Sequence, residues 1–280
     1  MRKRLTNLSA AANNNSLGRR KLLMLLAATP VIVSSAKAQS KPVRVGILSG
    51  EDEDIWRIVQ DNARSEGLTI EVVTFSEGNP INAALAAGDL DANAFQHGPY
   101  LRAQNAALGS HIVPVGNTYF APIGFYSKKW KTLSAIPDGA TIGVPADPTN
   151  EGRALKLLQS LGLLKISSDA GDMPTVLDIA ENPKNLSIKE LDDPVLARSL
   201  ADLDAGVVIT EWAYKAGINL TSERLARESM DNNPYINFIA VNEPDAHAAW
   251  VQPLVHAFQK PNVRAKLLEA YHGAIIPSWT

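Results

Sequence analysis

The 280-residue chain contains no cysteine. Disulfides, thiol nucleophiles, cysteine-ligated zinc, iron–sulfur clusters and a lipid-bearing N-terminal cysteine are excluded with it. Histidine is scarce, and His97, His111, His247, His256 and His272 never stand as His-x-x-x-His. No Gly-x-Ser-x-Gly elbow and no phosphate loop ending in Gly-Lys-Ser/Thr is present. Glu269-x-x-His272 has helical ligand spacing but no second pair, and Glu51-Asp-Glu-Asp54 reads as a solvated helix start. Nothing forms an acid–base pair or a nucleophile relay. The expectation is therefore a protein that is not an enzyme and holds no metal or cofactor. Linkers rich in Gly, Ser or Pro are missing, so independent domains on a tether are not expected. No basic patch with interleaved aromatics occurs, which argues against nucleic acid.

What is present begins at the N-terminus. Residues 1–38 carry Arg2, Lys3, Arg4, Arg19, Arg20, Lys21 and Lys37 and no acid. Arg19-Arg20-Lys21 is followed by the apolar run Leu22–Ala28 and Val31-Ile-Val33, ending in Ala36-Lys37-Ala38. That pattern predicts a signal peptide over 1–38, cleaved after Ala38, with a periplasmic destination and no lipid. The adjacent arginines suggest the twin-arginine route. The run is short for a membrane span, and no later stretch is long enough. The whole chain is −2; without those seven positive charges, residues 39–280 carry −9. An acidic exported protein is again a poor partner for nucleic acid.

Along residues 39–280, apolar periodicity predicts strands at 43–48, 68–75 and 91–95 separated by helices at 54–63 and 81–87. The pattern restarts: strand 141–144, helix 150–161, strand 186–191, helix 194–200, strand 206–210. Alternating strands and helices imply α/β architecture with mainly parallel sheets flanked by helices. Asp-Leu-Asp-Ala occurs twice, at 89–92 and 202–205. Each copy lies between a helix end and a strand, which suggests two lobes of one plan. Ile112–Ser127 and Tyr235–Val241 read as two extended crossings that make a hinge. Two helices, 248–258 and 263–271, are expected to return to the first lobe.

Two stretches carry candidate chemistry. Thr141–Val144 leads through the turn formers Asp147, Pro148, Thr149 and Asn150 into a helix bearing Arg153 on its first turn. A helix start offers unpaired N–H groups and a positive dipole end, and Arg153 offers a planar fork. Together they suit a small carboxylate, although a capped surface helix with a solvated Arg fits the same residues. The second stretch is Asp91-Ala-Asn-Ala-Phe-Gln-His-Gly-Pro-Tyr-Leu101. It displays Phe95, His97 and Tyr100 where a strand ends and Pro99 opens a helix. That is a wall for a partly apolar ligand, or local core packing.

These stretches, with Pro234-Tyr-Ile-Asn237, Tyr126-Ser-Lys-Lys129 and Asn182-Pro-Lys-Asn185, resemble the NlpA family across residues 42–278. These are methionine-type substrate-binding proteins of bacterial ABC importers. The resemblance implies a two-lobed periplasmic-binding-protein clamshell of type II. Lobe 1 would span 41–119 plus 237–280 and lobe 2 120–236. It implies a monomeric receptor that delivers methionine, or a related small amino acid or dipeptide, to a membrane permease with its ATPase. Phe95, His97 and Tyr100 would line the first lobe, and Asn150 and Arg153 would hold the carboxylate from the second. A non-methionine ligand on the same fold, or an exported sensor or adhesin, are the alternatives. The chain departs from the family pattern in three places. Gly78 stands where members usually have Tyr. Thr210, or Ile209, stands where many have Asn. No lipid-anchoring Cys is present. The first two bear on the cargo, and Glu211, beside Thr210, is the residue expected to pair with a ligand ammonium.

Overall fold

The structure, a computed structural model, describes residues 41–231 and 233–279. The signal peptide expected over 1–38 lies outside the described residues. The chain opens with β1 (Val43–Leu48), α1 (Glu51–Ser65), β2 (Ile70–Phe75), α2 (Asn79–Ala86), β3 (Ala92–His97) and α3 (Gly98–Leu108). Next come β4 (Ile112–Phe120), β5 (Ile123–Tyr126), β6 (Thr141–Pro145), α4 (Pro148–Ser160), β7 (Lys165–Ile166), β8 (Ile179–Glu181) and β9 (Ser187–Leu191). The remainder is α5 (Asp193–Arg198), β10 (Ala205–Ile209), α6 (Thr210–Lys215), β11 (Arg224–Arg227), β12 (Ile236–Asn242), α7 (Val251–Phe258), α8 (Pro261–Ala270) and β13 (Ile276–Pro277).

Two main sheets result. One has the order β13-β4-β12-β3-β1-β2 and the other β11-β5-β10-β6-β9; β7 and β8 pair separately. Within each, the three strands of the βαβαβ run are parallel and stand in the order second, first, third. The remaining pairings are antiparallel: β12 with β3 and with β4, and β13 with β4, in one sheet, and β5 with β10 and with β11 in the other. This is the two-lobed α/β plan. α1 is acidic at its start, and its apolar face of Ile55, Trp56, Val59 and Ala63 is buried. Trp56 meets Phe258 of α7 at 5.5 Å between ring centroids, so the C-terminal helices do return to the first sheet. The hinge is shorter than the extended segments suggest. β4 and β12 pair with one another from Ile112↔Asn242 to Phe120↔Ile236, so both belong to the first sheet along their length. Backbone pairing holds them there, and the chain passes to the second sheet only at Ala121-Pro122.

The repeated Asp-Leu-Asp-Ala has one structural meaning in both lobes. Asp91 Oδ2 accepts the Arg44 N–H at 2.7 Å, and the Asp91 N–H donates to the Arg44 carbonyl at 2.9 Å. Asp204 Oδ2 accepts the Thr141 N–H at 2.9 Å, and its N–H donates to the Thr141 carbonyl at 3.0 Å. Each aspartate ties the third strand of its run to the start of the first. The leucine of each motif covers a glycine on that neighbouring strand. A Cβ on Gly46 would stand 2.5 Å from Leu90 Cδ1; one on Gly143 would stand 2.3 Å from Leu196 Cδ1 and 2.7 Å from Leu203 Cδ1. Both lobes therefore need glycine for close packing. Gly143→Ala is expected to cost about 1–3 kcal/mol by overpacking, read as a lowered urea midpoint with an unchanged slope. An unchanged midpoint would mean that the two leucines move aside freely.

Candidate functional site

The carboxyl ends of the parallel strands in the two sheets face a common cleft. Leu48 ends β1, Phe95-Gln96-His97 end β3, and Ile209 ends β10; Asp147 follows β6, and Asp192 and Asp193 follow β9. All line one cavity with Gly78, Tyr100, Asn150, Arg153, Trp212 and Asn237. Open α/β sheets bind ligands at this position, because there the loops diverge and helix starts converge. The cavity volume is about 110 Å³. One water needs roughly 10–15 Å³ of such space, so the cavity has room for a small molecule.

The first-lobe wall is rigid because a buried amide network stands behind it. Asn82 and Gln96 exchange two hydrogen bonds of 2.7 Å, and Asn93 Nδ2 donates to Asn82 Oδ1 at 2.9 Å. This network clamps α2 to β3 and holds Phe95 and His97 toward the cleft. Phe95 and Tyr100 meet edge to face at 5.8 Å between centroids, a favourable ring geometry. Gly78 packs under Phe95: a Cβ there would stand 2.9 Å from the Phe95 ring. The space a side chain at 78 would need is thus filled from β3.

His97 is neutral and its tautomer is determined. Burial, then the Arg153 charge, push its pKa down to about 3. Nδ1 accepts the Tyr100 N–H at 3.2 Å, so Nε2 carries the proton and donates to Asn150 Oδ1 at 3.1 Å. That bond joins β3 of the first lobe to α4 of the second.

On α4 the structure alters one expectation. The first-turn N–H groups are not free for an anion. Pro148 has none. Asp147 Oδ1 accepts those of Thr149 and Asn150 at 3.2 and 3.0 Å, and the Glu151 N–H donates to the Asp147 carbonyl at 2.8 Å. Asp147 is an N-cap that uses the donors the ligand was expected to take. Arg153 remains. It is 3% exposed, its Cζ lies 4.2 Å from the Tyr235 ring centroid, and its Nε and Nη2 both donate to Glu228, the Nε bond being 3.0 Å. Nη2 also donates to the Ala121 carbonyl at 2.9 Å. Nη1 has one long bond, 3.4 Å to Asn150 Oδ1. Glu228 and Tyr235 thus hold the fork still while the Nη1 edge stays available.

Of the expected site residues, Phe95, His97, Tyr100, Asn150 and Arg153 come together on the cavity. Thr210 and Glu211 do not line it. The Thr210 hydroxyl donates to the Pro122 carbonyl at 2.5 Å. Glu211 is 4% exposed and accepts from the Tyr119 hydroxyl, on the side of Asp52 and Tyr271. The reason is helical geometry: α6 starts at Thr210, so successive residues point in different directions, and Trp212 rather than Glu211 reaches the cleft. Asp147 is the N-cap its place among the turn formers suggested; sequence reasoning missed Glu228, Tyr235 and Asp193. The signal for Asp193 was present, a second acid after a strand end just before Pro194. Glu228 had none, since its partner is 75 residues away.

The NlpA lipoprotein family model matches residues 43–279. The D-methionine-binding lipoprotein MetQ of Escherichia coli (strain K12) is 41% identical over 239 residues, 85% of this chain and 88% of that protein. A nutrient binding protein from Burkholderia cenocepacia, solved bound to methionine, superposes with a TM-score of 0.82 at 46% identity, over 85% of this chain and 100% of that one. The substrate binding protein of a methionine transporter from Streptococcus pneumoniae gives a TM-score of 0.80 at 33% identity, over 85% of this chain and 96% of that one. These relatives include lipoproteins, whereas this sequence has no cysteine to carry a lipid.

Proposed function

We propose a function from one premise that is established: the chain belongs to the NlpA lipoprotein family. The protein is the solute receptor of an ABC importer. It takes an amino acid of the methionine size class, or a small dipeptide, and delivers it to a membrane permease and its ATPase. The observation that carries this reading is Arg153, immobilised by Glu228 and Tyr235 on the wall of the cavity between the two lobes. In this reading Arg153 Nη1 takes the carboxylate, with the Asn150 side chain beside it. Phe95, Tyr100, Ile209 and Trp212 enclose the remainder. Closure is stabilised by contacts that exist only when the lobes meet, such as His97 to Asn150.

Catalysis has little support in the cleft. His97, its one imidazole, has both nitrogens engaged and is pushed strongly toward the neutral form. The receptor is monomeric, periplasmic and without a lipid anchor in this reading. The test is mass spectrometry of small molecules released from the purified, denatured protein, then titration calorimetry with what is recovered and with L-methionine. A recovered amino acid or dipeptide that rebinds one to one is expected. Recovery of a sugar or nucleotide, or turnover of the bound molecule, would overturn the reading.

A further inference from the structure

The acids on the cavity wall are not equivalent. Four line it among the described residues, Glu77, Asp147, Asp192 and Asp193, of which Glu77 and Asp192 are exposed to water, against one cation, Arg153. The charge of Arg153 is already matched by Glu228, and His97 is neutral. The two acids that follow the strand ends differ in a telling way. Asp147 is satisfied: Oδ1 accepts from Thr149 N, Thr149 Oγ1 and Asn150 N, and Oδ2 from Asn150 Nδ2 at 2.8 Å. Asp193 accepts no hydrogen bond and makes no ion pair among the described residues, yet it is partly buried on the cavity wall. Burial, then the Asp147 and Glu211 charges, raise its carboxyl well above the usual carboxylate range. A carboxylate in that position is stabilised by a proton or by a cation.

A zwitterion offers a carboxylate to Arg153 and an ammonium on the next carbon. A ligand with a second positive group has one left for Asp193. The walls suit that group: Phe95, Tyr100 and Trp212 present ring surface in the same cavity, and aromatic faces attract cations. We propose that the cargo is a cationic amino acid, its side chain ending in an amine, guanidinium or sulfonium, and that Asp193 is the counter-ion that selects it. This rests on the amino-acid-receptor reading above and narrows it.

The test uses the mature protein freed of ligand, with L-lysine, L-arginine, S-methyl-L-methionine and L-methionine as probes in titration calorimetry. At least one cationic probe is expected to bind about tenfold or more tightly than L-methionine. Asp193→Asn is expected to lower affinity for that probe about tenfold or more, with L-methionine changed less than about threefold. Binding of the cationic probe is also expected to release a proton, visible as an enthalpy that varies with buffer, and the release should vanish in Asp193→Asn. Because Asp193 makes no bond in the fold and burial raises its carboxyl, the variant should melt no lower than the wild type, and the melting curve separates lost binding from lost folding. If L-methionine binds more tightly than every cationic probe, or Asp193→Asn leaves the cationic affinity intact, the proposal fails while the receptor reading stands. If no amino acid of either kind binds, the receptor reading fails with it.

Discussion

Replacing Arg153 by alanine is expected to lower ligand affinity by two orders of magnitude or more and to destabilise the protein as well. Both effects follow from its position. Among the described residues the guanidinium is the one cationic group on the cavity, and it is buried against Tyr235. Removing it strands Glu228 and the Ala121 carbonyl, which lose the donors of Nε and Nη2. Truncating one partner of a buried ion pair costs about 3–5 kcal/mol. The two effects can be separated. Arg153→Met with Glu228→Gln removes the buried charge from both sides, and such replacements are often close to neutral for stability. The double variant is therefore expected to regain most of the melting temperature and none of the binding. Arg153→Lys keeps the charge but not the fork; one ammonium cannot hold Glu228 and a ligand carboxylate in the same geometry, and about a tenfold loss is expected. Calorimetry on ligand-free protein reads all three. An alanine variant that binds within threefold of wild type would place the carboxylate elsewhere.

The protein is also expected to lose stability as pH rises from about 4 to about 7, and Asp52→Asn is expected to reduce that slope. Asp52 at the start of α1 is 3% exposed and accepts from the Tyr271 hydroxyl at 3.2 Å. Glu211 of the other lobe, bonded to Tyr119, is also buried. Burial, then the Glu211 charge, push Asp52 up to about 7, while Lys215 pulls the other way and Glu51 adds to the rise. Burial raises Glu211 too, opposed by the Tyr119 bond and by the charges of Lys215 and Arg153. A carboxyl whose folded pKa lies above its unfolded value binds more protons when folded. Its stabilising share is complete below the unfolded value and is lost as pH rises through the folded one. At pH 8 Asp52→Asn keeps an acceptor for Tyr271 and removes the buried charge. A gain on the order of 2 kcal/mol would raise the melting temperature by roughly 4–8 °C, with little change at pH 4. A flat wild-type profile between pH 4 and 8 would show that the acids titrate as if exposed.

These two sites differ in how far they were legible from the chain. Strand positions, helix positions and the doubled Asp-Leu-Asp-Ala are local. Period-two and period-3.6 apolar patterns and cap residues determine them over a few residues, and the structure keeps nearly all of them. Phe95, His97, Tyr100, Asn150 and Arg153 were legible for the same reason. They stand where a strand gives way to a helix start, and parallel α/β topology turns those points toward one cleft. Motif-level resemblance strengthened that assignment.

Tertiary structure decided what depends on partners distant in sequence. Arg153 is locked by Glu228, which stands 75 residues further along the chain. Glu211 joins a buried acid pair between lobes instead of the cavity, since the first turn of α6 rotates it away and presents Trp212. Asp193, which no motif marked, lines the cavity and is unpaired among the described residues. The sequence by itself determined the elements, the two-lobed plan and the strand ends that form the cleft, because these rest on short-range pattern. Which polar groups in that cleft are already satisfied, and which still need a partner, was decided only when distant side chains met, since desolvation and hydrogen bonding act through space and not along the chain.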